Sequence, residues 1–272
     1  MSLPMPSPTA RAVVTGASSG IGMALATELA RRGHHLVVVA RRGEVLEELA
    51  TTLGAEHGVQ VEVRACDLAD PAARGPLLEE LSSREVSVLC NNAGIASFGP
   101  VAELDLDYER MQVQLNAVAA HELVLAVLPG MVARRSGAIL NVGSAAGNMP
   151  IPNNATYAAT KAFLNTFSES LRGEVARHGV HVTLLAPGPV RTEEIAEEDK
   201  TFVDRIVPDR LWVDTEYTAR VSLDALARNR MRVVPGPLSQ AMSVAGNYVP
   251  RGLMAPVVGR FYAKLGEGQA GS

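Results

Sequence analysis

Seven short runs dense in Val, Leu and Ile recur along the chain, each separated from the next by a longer stretch whose apolar residues return at helical spacing. They are RAVVT (11–15), HLVVVA (35–40), VQVEVRA (59–65), VSVLCN (86–91), GAILNVG (137–143), HVTLLAP (181–187) and MRVVP (231–235). Apolar runs this continuous suit strands buried on both faces, which requires a parallel sheet with helices covering each side. Right-handed crossovers then close the chain as a doubly wound α/β sheet of seven strands. No internal repeat or linker divides it, and 272 residues with 47% apolar content suit a single domain built on one large sheet.

The catalytic-size domain is expected over 11–235, after a flexible leader at 1–10 and before an apolar C-terminal extension, 236–272, packed on the same domain. Between the strands, Leu25 and Leu29 mark one apolar helical stripe, and Met111, Leu115, Val118, Leu123 and Leu128 mark a long one. Residues 157–177 form another. A net charge of −4 without a basic run argues against nucleic acid as a partner and favours small molecules. No uninterrupted apolar segment approaches the roughly 18 to 20 residues that span a bilayer, so no transmembrane segment is expected. The start, MSLPMPSPTA, lacks the basic residues and apolar core of a secretory signal, so a cytoplasmic protein is expected. Cys66 and Cys90 fall at strand ends and are expected to stay reduced.

The segment TGASSGIG (15–22) follows the first strand and opens the first helix. Gly16, Gly20 and Gly22 permit a tight turn and close packing, while Ser18, Ser19 and Ile21 lie where backbone N–H groups at a helix start could meet a pyrophosphate. A glycine-rich turn without a ligand is the alternative. After the second strand stand Ala40, Arg41 and Arg42, where an NAD-binding sheet would place an acid. A guanidinium suits a ribose 2′-phosphate, so NADP(H) is the expected cofactor; the other reading makes these arginines the solvated start of a helix. Asp67, just past the third strand, could accept from an adenine amino group or cap a helix.

Tyr157 precedes Lys161 by four residues, which puts phenol and ammonium on one helical face. Taken with TGASSGIG, NNAG (91–94), Asn116 in VQLNAV, Ser144 in NVGSAAG and PGPVRT (187–192), the pair makes the chain resemble the short-chain dehydrogenase/reductase family across residues 11–235. The resemblance implies a Rossmann-like sheet with strand order 3-2-1-4-5-6-7. Cys66 and Cys90 then follow strands about 14 Å apart, at about 4.8 Å per strand, beyond disulfide reach.

The resemblance also implies roles. Tyr157 is the acid that protonates a carbonyl oxygen as a hydride arrives, and Lys161 lowers the pKa of a phenol that is ordinarily about 10. Ser144 orients the substrate oxygen, and Asn116 holds a water that links the lysine to solvent; its alternative is a buried amide satisfying a helix carbonyl. Asn92, Ala93 and Gly94 support the fourth strand and pass beneath the cofactor. Pro187, Gly188, Val190 and Thr192 belong to its nicotinamide end, and Tyr157 and Lys161 touch its ribose. No metal site is assigned. Helices such as 157–177 commonly join family members into homo-oligomers.

Residues from about 192 to 213 turn acidic and then apolar, as in a lid over the substrate or a surface helix packed on the core. In the tail, Met254, Val257, Val258, Phe261 and Leu265 recur at helical spacing. Such a stripe could cap the core, join subunits, wall an acyl pocket or rest on a membrane surface at the inner membrane. Two stretches, SAAGNMPIPNNATYAATKAFLNTFSESLRGE and MRVVPGPLSQAMSVAGNYVPR, resemble the actinobacterial branch that reduces the β-keto group of mycolic-acid precursors. That implies an NADPH-dependent reductase of a long-chain 3-oxoacyl lipid. Its rivals are an NAD-dependent alcohol or steroid dehydrogenase and a nucleotide-sensing protein without turnover.

Overall fold

A computed structural model of the chain describes residues 2–188, 190–191, 212–236, 240 and 243. Its strands are β1 (Arg11–Thr15), β2 (Leu36–Ala40), β3 (Val61–Ala65), β4 (Val86–Asn91), β5 (Gly137–Val142), β6 (Val180–Leu185), β7 (Val190–Arg191), β8 (Val213–Asp214) and β9 (Arg232–Val233). Seven of them form one sheet in the order β3-β2-β1-β4-β5-β6-β9, parallel at every pairing. The doubly wound fold and its strand order are as expected. Two strands, β2 and β1, separate β3 from β4, and Cys66 and Cys90 are both free thiols.

The helices are α1 (Gly20–Arg31), α2 (Gly43–His57), α3 (Pro71–Ser83), α4 (Leu106–Val113), α5 (Ala120–Arg134), α6 (Ala155–Val175) and α7 (Thr215–Ala227). Successive strand residues point to opposite faces, which splits the core in two. Ala12, Val14, Leu36 and Val38 pack with Leu25, Leu29, Leu46, Leu223 and Leu226 of α1, α2 and α7. Val13, Val37, Val39 and Ile139 pack with Leu81, Leu123, Val127, Met131 and Leu171 of α3, α5 and α6. Local chemistry sets the helix ends. Asp70 accepts from the Ala72 N–H with Pro71 at the first helical position of α3, and Gly58 closes α2 at a φ of 67°.

Three expectations change. Residues 2–10 are not a free leader: Leu3 is buried in the core, and the Thr9 hydroxyl donates to Glu85. The stretch Leu106–Arg134 is continuously helical and reaches a mean hydropathy of 1.6, long and apolar enough by composition to cross a membrane. Gln112 and Asn116 on this helix are buried in the fold. The expected helix 157–177 begins at Ala155, because Asn153 takes a φ of 61° and turns the chain ahead of it. β7 and β8 pair with each other and hold the two ends of the expected lid side by side. Residues 192–211 of that lid, and the C-terminal extension apart from Gly236, Gln240 and Ser243, lie outside the described residues.

Candidate active site

Strand order reverses between β1 and β4, and the loops that leave their carboxyl ends part there to form a crevice. Thr15 at the end of β1 joins the two sides. Its hydroxyl accepts from the N–H groups of Asn92 and Ala93, each at 3.0 Å, and the Asn92 amide donates to Thr15 O at 3.0 Å. Sequence reasoning read Thr15 only as part of the glycine motif; a hydroxyl at a strand end was its signal.

A cavity of about 380 Å³ opens above this seam. Eleven expected cofactor residues line it: Gly16, Ser18, Ser19, Gly20, Ile21, Arg41, Arg42, Asp67, Asn92, Ala93 and Gly94. Cys66, Leu68, Ile95 and Leu115, which the motifs did not single out, line it too. Gly22 lies beneath the cavity instead, where a Cβ would collide with Gly16 O. Gly16 needs its own freedom, with a φ of 65° and Asn92 Nδ2 only 2.8 Å from where a Cβ would stand.

The cradle fits a dinucleotide. Ser19 caps α1 without a side-chain hydrogen bond, and no acid stands in the first turn, so the helix start offers uncapped N–H groups to an anion. Arg42 is already engaged, its Nη2 donating to Ser18 O at 3.0 Å. Arg41 is exposed and makes no hydrogen bond or ion pair among the described residues, which leaves its guanidinium for a 2′-phosphate. Asp67 does not cap α3, a role Asp70 fills; its Oδ1 accepts from the Ala69 N–H at 3.0 Å.

Beyond Gly94 lie Asn116 and Lys161; Tyr157 shares α6 with Lys161, and Ser144 is tied to that helix through Asn165. Asn116 sits in a π-helical turn, Gln114–Ala119, that joins α4 to α5, a distortion often found at functional sites. Its amide reads a neighbouring loop in both directions: Oδ1 accepts from Ile95 N at 2.9 Å and Nδ2 donates to Ile95 O at 2.8 Å. Nδ2 also reaches Thr160 Oγ1 at 3.2 Å, on α6 beside Lys161. The alternative of a helix carbonyl as partner is thus replaced by a loop-to-helix clamp. Gly94 makes room for it, since a Cβ there would stand 3.1 Å from Asn116 Oδ1 and 3.3 Å from Lys161 Nζ.

Lys161 is buried and donates to Val142 O at the end of β5, at 2.8 Å. Burial lowers its pKa to about 8. Its Nζ lies 5.7 Å from the centroid of the Tyr157 ring. Ser144, just past β5, is also buried, and its Oγ accepts from the Ala146 N–H at 3.1 Å, which leaves the hydroxyl proton to donate elsewhere. Pro187 O receives the Ala145 N–H at 3.1 Å and so braces the serine loop. Pro187, Gly188 and Val190 are not among the residues lining the cofactor cavity, and Thr192 lies outside the described residues.

The chain resembles known proteins over most of its length. The family model for short chain dehydrogenase matches residues 10–201. The chain is 42% identical over 178 residues to the very-long-chain 3-oxoacyl-CoA reductase of Laccaria bicolor, a match covering 64% of this chain and 53% of that protein. It is 34% identical over 199 residues to the mouse (Mus musculus) protein of the same name, covering 71% of this chain and 63% of the relative. A solved short-chain dehydrogenase from Sphingobium yanoikuyae in complex with NADPH superposes with a TM-score of 0.77 at 33% identity, covering 90% of this chain and 95% of that one. The chain belongs to the short-chain dehydrogenase family. It spans little more than half the length of the Laccaria relative.

Proposed function

We propose that the protein is an NADP(H)-dependent carbonyl reductase that converts a long-chain 3-oxoacyl lipid to the secondary alcohol. The observation that carries this reading is the buried Lys161 ammonium, fixed by Val142 O, set beside the Tyr157 ring and adjoining Gly94 of the cavity that the glycine motif and Arg41 line. NADPH, when bound, supplies the hydride. Tyr157 donates the proton that neutralises the carbonyl oxygen, and Ser144 donates to the same oxygen and holds it in place. A lysine with a pKa of about 8 is mostly cationic at neutrality, and that charge favours the phenolate left after proton transfer. Asn116 holds the loop at Ile95 and, through Thr160, the helix that carries both groups.

The NADPH-bound relative and the Arg41 guanidinium, unpaired among the described residues, support NADP(H) over NAD(H). The names of the fungal and mouse relatives support a long 3-oxoacyl chain. The mycolate-precursor form of that substrate rests on the two resembling stretches, and the 3-oxoacyl-CoA reductases named above are eukaryotic. Exposed Val113, Leu125 and Phe163 on the outer face of α4, α5 and α6 support assembly of like copies, which light scattering would measure. A cytoplasmic enzyme touching lipid at the inner membrane through its C-terminal segment is the proposed location, and cell fractionation tests it.

The deciding experiment follows NADPH consumption against a chain-length series of 3-oxoacyl-CoA thioesters, with NADH as control. Turnover that requires NADPH and rises with chain length is the expected result. Tight NADPH binding without turnover of any member would overturn the substrate. Tyr157→Phe should keep NADPH binding and abolish reduction; unchanged turnover in that variant would remove the mechanism.

A further inference from the structure

Asn165 lies four residues beyond Lys161 and so shares its face of α6. It is buried, and its amide grips both main-chain polar atoms of Ser144. Nδ2 donates to Ser144 O at 3.0 Å, and Oδ1 accepts from Ser144 N at 3.4 Å. The two glycines beside the serine exist in this geometry to admit that amide. A Cβ at Gly143 would collide with Asn165 Oδ1, and one at Gly147 would stand 2.6 Å from Asn165 Nδ2. The serine loop is thus seated on one side chain of the helix that also carries Tyr157.

The contact continues outward. Asn165 Nδ2 also donates to Asn148 Oδ1 at 3.1 Å, and that oxygen receives Arg232 Nη1 at 3.2 Å from β9. Arg232 is held in turn by Glu169, one further turn along α6, through Nε to Oε1 at 3.0 Å. Its Nη1 reaches Ser243 Oγ at 3.3 Å, in the C-terminal segment. A polar row therefore runs from the serine loop, along the Tyr157–Lys161–Asn165–Glu169 face, to the last strand of the sheet.

We propose that Asn165 is a positioning residue for carbonyl reduction: it sets the backbone of Ser144 so that the serine hydroxyl meets the substrate oxygen, and Arg232 anchors the far end of that seat. The inference rests on the reductase reading for the role of Ser144. A merely structural Asn165 would satisfy buried backbone groups and affect stability alone. A positioning residue acts through Ser144, and the two substitutions must then fail to add.

The test compares wild type, Asn165→Asp, Ser144→Ala and the double variant, using the 3-oxoacyl-CoA that the wild type reduces fastest. Asn165→Asp keeps size and the Oδ1 acceptor but loses the donor. It is expected to lower kcat about 10-fold or more while KM for NADPH stays within about twofold, and to cost less than about twofold when added to Ser144→Ala. Arg232→Met is expected to give a smaller kcat loss that is likewise absorbed by Asn165→Asp. Losses that multiply in the double variant, or full kcat in Asn165→Asp, overturn the proposal. Should the wild type reduce no carbonyl substrate, the reductase reading fails first, and amide hydrogen exchange tests the seat alone. Exchange at Ser144 and Gly147 that speeds up in Asn165→Leu ahead of the rest of the sheet supports the seat, and unchanged exchange there overturns it.

Discussion

Lys161 Nζ donates to the main-chain oxygen of Val142 at 2.8 Å, which ties the charge beside the candidate acid to the last residue of β5. The cation is therefore placed by the sheet as well as by its own helix. Burial lowers its pKa from 10.5 to about 8, so the fold disfavours the proton that an unfolded lysine would keep. Between about pH 8 and 10.5 the unfolded chain binds one more proton at this site than the native chain, and stability at this site rises with pH. The cost of burying the charge is fully present below about pH 8 and is gone above 10.5. Lys161→Met should abolish reduction yet stabilise the cofactor-free protein at pH 7, with an advantage that shrinks towards pH 10. Urea unfolding of both proteins across that range measures it; a pH-independent difference would contradict the assignment.

Arg41 and Arg42 should differ in their effect on cofactor choice. Arg41→Ala removes the unengaged guanidinium and is expected to raise KM for NADPH about 10- to 100-fold, the size of one or two charge-assisted hydrogen bonds, with little change for NADH. Arg42→Ala breaks the contact to Ser18 and should weaken both cofactors more evenly. Paired steady-state titrations decide between these patterns.

Arg74 is buried in α3 and joins three parts of the site's frame. Nε donates to Glu122 Oε2 at 2.7 Å, Nη1 to Leu68 O, and Nη2 to Gln114 Oε1 at 3.5 Å. Leu68 walls the cofactor cavity, while Gln114 opens the π-helical turn that holds Asn116. Arg74→Met should cost about 1 to 3 kcal/mol in urea unfolding, because Leu68 O loses its buried donor while the partly exposed Glu122 turns to solvent. The same variant should weaken NADPH binding; intact affinity would show that the Leu68 wall stands without it.

Gly22→Ala places a methyl group against Gly16 O, inside the turn that must receive the pyrophosphate. Overpacking of this kind costs about 1 to 3 kcal/mol, and the backbone shift that relieves it moves Gly16. The expected outcome is a lowered Tm together with a large loss of NADPH affinity, read by calorimetry and fluorescence titration.

The sheet was legible because buried parallel strands leave continuous apolar runs, and all seven lie within two residues of the expected bounds. β9 is shorter than its run, ending at Val233 ahead of Pro235. The cofactor crevice was legible because glycines and arginines signal it through backbone freedom and charge. Asn165 was not, since an Asn on a helix looks like any solvated residue until its partner loop is known. The engagement of Arg42 by Ser18 and the seam at Thr15 depend on how two loops approach, which one-dimensional spacing does not encode. The π-helical turn at Asn116 was hidden for a related reason: one extra residue in a helical turn barely disturbs the apolar stripe around it.

Because Tyr157, Lys161, Asn165 and Glu169 occupy successive turns of one helix, α6 keeps its chemistry only as an intact unit. A single residue inserted between Tyr157 and Glu169 would rotate everything after it by about 100° and detach either the ammonium or the serine seat from its partners. Chimeras with other members of the family should therefore exchange α6 together with residues 143–148 and β9, with junctions in the loops on either side. Crossing over inside the helix would join two halves cut for different locks.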